Sequence, residues 1–84
     1  MGDPVIIAVL TKNGTEDLRV ALDEFKGHNL LDLRVFAEFG GPAKVKMPTK
    51  KGLSLRVEML PDLIAALQAA QERARGLGLI PAQH

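Results

Sequence analysis

Eighty-four residues make one small domain, residues 1–84, with 46% hydrophobic and 25% charged side chains and a formal charge of +1; such a composition is globular, not disordered. The absence of cysteine excludes disulfides and thiolate metal sites, and His28 and His84 alone are too few for a structural zinc site, which takes four ligands. A net charge this small excludes nothing about partners, so the distribution of charge has to be read locally.

The longest apolar run, Val5-Ile6-Ile7-Ala8-Val9-Leu10, falls far short of the roughly 20 residues of a membrane span. Asp3 and Pro4 precede it in place of a basic segment, so it reads as a strand and not a signal peptide. The expectation is a soluble, cytoplasmic protein. Lys12-Asn13-Gly14-Thr15 follows, and Asn-Gly predicts a type I′ hairpin turn. Leu18, Val20 and Leu22 alternate along a second strand, Lys26-Gly27-His28-Asn29 is a second turn, and Leu31, Leu33 and Val35 alternate along a third strand. Gly40-Gly41-Pro42 reads as a loop, Lys44 to Met47 as a short edge strand or arm, and Pro48-Thr49-Lys50-Lys51-Gly52 as a compact turn presenting two cations. Leu53 to Val57 closes the sheet.

The period changes at Leu60. Pro61 suits a first helical turn, Asp62 suits its positive end, and Leu60, Leu63, Ile64, Leu67 and Ala74 recur at helical spacing. Gly76 and Gly78 predict the stop, leaving 76–84 as a frayed tail or a short partner contact. The predicted fold is α+β: a four-stranded antiparallel β-sheet over 5–57 followed by one C-terminal α-helix over 60–75 (ββββα). A further stripe of Ala65, Ala66, Ala69 and Ala70 offers the helix a second packing face, although alanine is also simply a good helix former. A core this small favours a homodimer through that helix.

Catalysis is poorly served. Ser54, the only serine, has no histidine near it in sequence, and Asp23, Glu24 and Asp32 read as solvated strand charges. Gly40-Gly41-Pro42-Ala43-Lys44 lacks the spacing of a phosphate loop. No enzyme activity, cofactor or metal is expected. Binding is better supported. From Gly40 to Arg56 stand Lys44, Lys46, Lys50, Lys51 and Arg56 with no acid among them. The face of the sheet away from the helix would carry Arg19, Asp23, Phe25, Arg34 and Phe36. Cations that meet phosphates beside rings that stack bases are what a single strand of nucleic acid requires, whether DNA or RNA.

Phe25-Lys26-Gly27-His28, Leu31-Asp32-Leu33-Arg34 and Pro48-Thr49-Lys50-Lys51-Gly52-Leu53-Ser54-Leu55, in that order before an amphipathic helix, resemble the positive cofactor four family of transcriptional coactivators, closest to its short bacterial members, over residues 17 to 72. The resemblance implies a homodimer of curved four-stranded sheets that binds single-stranded or melted DNA with little sequence preference. It implies base stacking by Phe25, backbone contacts from Arg34, Lys50 and Lys51, and a weaker one from Lys26. Lys44 and Lys46 stand close to a further basic position that here falls on Met47. Ala37 occupies the place of a tryptophan of the animal members, and Asp23 that of a basic residue in some members. Transcription or repair proteins would be further partners, and a bacterial member would sit in the cytoplasm or with the nucleoid. The competing expectation is a small dimeric protein-interaction module with the same fold and little DNA affinity.

Overall fold

The structure, a computed structural model, describes residues 3–40 and 45–81. Four strands, β1 (Val5–Thr11), β2 (Glu16–Phe25), β3 (His28–Glu38) and β4 (Lys46–Arg56), pair antiparallel in chain order. One 3-10 turn, Val57–Met59, leads into α1 (Leu60–Gly76). The ββββα order is therefore the predicted one.

Register decides which side chains share a face. Leu18, Val20 and Leu22 stand opposite Val35, Leu33 and Leu31, and Leu33 and Leu31 in turn stand opposite Leu53 and Leu55. Because side chains alternate, these residues make one apolar face. The other face carries Asp17 opposite Phe36, Arg19 opposite Arg34, and Ala21 opposite Asp32, which faces Ser54. Edge strand β1 is apolar on both faces, and a bulge at Ile7 shifts its register against β2.

The second turn falls at Lys26-Gly27, within the expected segment, whereas the first departs from the expected geometry. Among the described residues positive φ occurs only at Lys26 (52°), Gly27 (80°), Gly52 (144°) and Gly78 (75°). The type I′ geometry thus belongs to Lys26-Gly27, between β2 and β3, and not to Asn13-Gly14. The first hairpin is instead held by the Asn13 side chain. Its Oδ1 accepts from the Thr15 N–H (3.0 Å) and its Nδ2 donates to Glu16 Oε1 (2.8 Å). A side chain that imitates the turn relieves the backbone of any left-handed residue.

The segment from Pro48 to Gly52 is not a turn. β4 runs through it, and the register passes from Gly52 opposite Arg34 to Pro48 opposite Phe36, so Thr49, Lys50 and Lys51 bulge out opposite Val35 alone. Thr49 supplies the missing ladder bonds: its Oγ1 donates to the Val35 carbonyl (2.8 Å) and accepts from the Lys51 N–H (3.1 Å). Gly52 closes the bulge. A Cβ there would run into the Leu33 carbonyl oxygen and lie 2.9 Å from Arg34 Cα. Pro48 is tolerated because β4 is an edge strand.

α1 begins with Pro61 and Asp62 and carries Arg73 and Arg75 in its last turn, matching the helix dipole at both ends. Gly76 is its last residue, and Gly78 takes the left-handed position of the cap (φ 75°). Leu79 N–H donates to the Ala74 carbonyl (2.8 Å) and Gly78 N–H to that of Arg75 (3.0 Å), a Schellman motif. Residues 77 to 79 are therefore an ordered cap and not frayed, the first of the two readings expected of 76–84; residues 82–84 lie outside the described residues.

The apolar face is barely covered. Of its residues Leu31 and Val35 are buried, Ala21, the third buried hydrophobic residue among those described, lies on the other face, and α1 buries none. The expected packing of one helical stripe on the chain's own sheet is not found: α1 touches the 3-10 turn and makes no extensive contact with any strand. The chain has a radius of gyration of 15.5 Å, against about 12 Å for a compact domain of this length. Its accessible surface is 6579 Å², against about 4,900 Å² for a compact monomer of its mass.

Gly52→Ala is expected to cost about 1–3 kcal/mol from the forced backbone conformation, before any displacement of β3 is counted. Urea unfolding at one protein concentration checks this; an unchanged midpoint would show that the bulge tolerates a side chain.

Candidate nucleic-acid interface

The polar face is built by the alternation of β2 and β3 and by the turns at their ends. At one end, Phe25 is 58% exposed beside the Lys26-Gly27 turn, and Lys26 Nζ lies 5.3 Å from the centre of its ring. Arg56, opposite Leu30, is exposed on the same face near that end. Toward the other end Arg19 lays its guanidinium over Phe36, 4.0 Å from the ring centre. Lys50 stands out on the bulge.

The carboxylates of this face decide which cations are available. Arg34 donates to Asp32 Oδ1 (3.0 Å) and to the Thr49 carbonyl (3.4 Å), and Ser54 Oγ donates to the same Asp32 oxygen (2.7 Å). Lys46 is held by Asp17 (3.0 Å), a carboxylate that is itself buried. Lys51 is drawn instead toward Glu16 Oε2 at 3.8 Å, a carboxylate that alternation places with Leu18 and Ala37 on the other side of the sheet. By contrast Arg19, Lys26, Lys50 and Arg56 have no ion-pair partner among the described residues.

Of the residues expected from the sequence, Phe25 and Lys26 come together at the hairpin tip, and Arg34 lies beside the Lys50–Lys51 bulge. Lys46 belongs to β4 and not to an arm, and its charge is matched. Lys44 lies outside the described residues. The sequence reading placed Arg19 and Phe36 on one face without pairing them, although they are 17 positions apart and meet through the Asp17–Phe36 register. Arg56, part of the basic cluster in sequence, joins the face through its register against Leu30.

No group of three or more acidic or histidine side chains suited to a metal ion occurs among the described residues, and no described helix is long and apolar enough to cross a membrane. The arrangement supplies discrete cations and stackable rings on an open surface. Residues 12–66 match the family model of Transcriptional Coactivator p15 (PC4). The chain belongs to this family.

Among solved structures this PC4-family chain is similar to a PC4 homologue from Burkholderia pseudomallei, with a TM-score of 0.72 and 25% identity over 84% of this chain and 93% of that one. A second crystal form of that homologue gives 0.71 and 26%, over 82% and 98%. It is also similar to a bacteriophage T5 homologue of the eukaryotic coactivator PC4, described as implicated in recombination-dependent DNA replication, with a TM-score of 0.58 and 25% identity over 92% and 98%. No curated protein matches the sequence. Against the tryptophan of the animal members, Ala37 lies on the apolar face by alternation, whereas Phe36 shares the polar face with Arg34.

Glu16 ties the first hairpin to the bulge. Hydrogen bonds from Lys12 and then Asn13 hold its carboxyl below the ordinary glutamate value. A carboxylate with a lowered folded-state pKa adds stability above its unfolded value, and that contribution disappears as pH falls through the folded value. Glu16→Gln is therefore expected to be less stable than the parent at neutral pH and equal to it in strong acid. Denaturant midpoints across that range check this, and a constant gap would remove the ionised carboxylate as the cause.

Proposed function

We propose that this chain is a non-catalytic, homodimeric cytoplasmic protein that binds single-stranded or melted DNA with little sequence preference, acting in transcription or in DNA repair. The observation that carries the reading is the polar face of a PC4-family chain on which Arg19, Lys26, Lys50 and Arg56 are free of acids while Phe25 is open to a base. Mobile lysines neutralise phosphates without reading sequence, and a ring accepts any base. Arg34 and Lys46, already neutralised, shape the face and contribute less charge. Arg19 on Phe36 adds a flat cationic platform to the stacking surface. A role in DNA transactions is supported by the T5 homologue's link to replication.

The homodimer is supported by the uncovered apolar surface. The excess over a compact monomer, roughly 1,700 Å², is on the scale of about 1,000–2,500 Å² that each subunit of an obligate homodimer buries. Leu60, Leu63, Leu67, Ala70, Ala74 and Leu77 supply α1 with a seam at alternating spacings of three and four. The matched pairs Asp17–Lys46 and Asp32–Arg34 favour the second reading, a protein-interaction module, because they withdraw two of the face's cations from phosphate binding.

Fluorescence anisotropy with a labelled single strand and its duplex, at low and near-physiological salt, tests the function. Tight, salt-sensitive binding that prefers the single strand is expected. Lys50→Ala should lower the salt slope by about 0.7. Phe25→Ala should weaken binding by about 1–3 kcal/mol with the slope unchanged, since it removes a stacked base and no phosphate contact. Equal affinity for both forms would strip Phe25 of its role, and no binding at low salt would leave the interaction module.

A further inference from the structure

An apolar groove of about 350 Å³ opens where α1 begins, lined by Leu22, Asn29, Val57 and Leu60 with Asp23 at its rim. Glu24 and Asp3 continue that rim in the adjoining depression. The other end of α1 has the opposite character. Beyond its last turn, with Arg73 and Arg75, the Schellman motif presents Leu77, Leu79 and Ile80 on a fixed hook, 58%, 71% and 37% exposed. The hook is preorganised by two backbone hydrogen bonds, so little further ordering is needed to dock it.

The hook cannot reach the groove of its own chain, because the 17 residues of α1 hold them about 25 Å apart. A second copy can supply it. In a two-fold pairing of antiparallel α1 helices, the end of each helix lies beside the start of the other, which sets Leu77 next to Leu60. Charge agrees with that direction. Glu24 lines the depression beside the groove, and Glu58 and Asp62 stand in the turns that lead into α1, while Arg73, which has no ion-pair partner among the described residues, stands at the hook.

We propose that the Leu77–Ile80 hook of each protomer seats in the Leu22–Val57–Leu60 groove of its partner, a clasp at either end of the helix pair. The inference rests on the homodimer proposed above. The native chain has no cysteine, so Val57→Cys combined with Leu79→Cys in the full chain gives a clean test. A disulfide needs Cα atoms within about 7 Å, which only the clasp provides. Rapid formation of a covalent dimer on mild oxidation is expected. Light scattering of the reduced protein separates the two readings: a dimer that yields no covalent product overturns the clasp and leaves the homodimer standing, whereas a monomer overturns both. Leu79→Asp changes only an exposed side chain and is expected to raise the dimer dissociation constant about tenfold or more; an unchanged constant overturns the clasp.

Discussion

A sheet whose side chains alternate has two faces, and an apolar one must be taken out of water by something. Here Leu18, Val20, Leu22, Leu31, Leu33, Leu53 and Leu55 make that face, yet the helix that follows them leaves it open. Only Ala21, Leu31 and Val35 are buried hydrophobic residues among those described, too little to offset the chain entropy of a domain this size. The extended outline, the unfilled groove at the start of α1 and the exposed leucines at its end are aspects of the same uncovered surface. Under the proposed pairing the apolar side assembles the protein, which frees the opposite face for a ligand.

That opposite face is ordered by its acids as much as by its bases. Asp32 accepts from both Arg34 and Ser54, and so links β3 to β4 beside the bulge while cancelling the arginine's charge. Asp17 does the same for Lys46 across 29 residues of chain. A half-buried cation without such a partner would repel its neighbours and cost desolvation, so the pairs hold a face that carries many charges together. Three of the cations left over stand at the periphery, on the hairpin tip, on the bulge and on an edge strand; the fourth, Arg19, lies on the inner strand β2 and rests on the Phe36 ring in place of an acid.

Much of the fold was legible because it is periodic. Leu18-Arg19-Val20-Ala21-Leu22 and Leu31-Asp32-Leu33-Arg34-Val35 alternate cleanly, and the change to helical spacing at Leu60 coincides with the observed start of α1. The misreadings are turn signals overruled by a side-chain contact or by register. Asn13-Gly14 looks like a type I′ turn, but Glu16 offers the Asn13 side chain a better arrangement. Pro48 to Gly52 has turn composition, and only its register against Val35 makes it a bulge within one strand. The site was legible as residue types and not as available charge. Nothing near Arg34 or Lys46 in sequence announces that Ser54 shares the partner of the one, or that Asp17 holds the other.

The bulge in β4 has a further consequence for how the sheet can grow. The outer edge of β4 presents Pro48, which lacks an N–H, and then three residues out of register with any straight neighbour. A strand arriving there would find an interrupted ladder flanked by lysines, a common protection against aggregation. β1, at the opposite edge, carries no charge and no proline, and leaves Val5, Ile6, Ile7, Val9 and Leu10 at least half exposed. Of the two edges of the sheet, that of β4 is thus protected and that of β1 exposed, so a fibrous or strand-swapped association of this chain would start at β1.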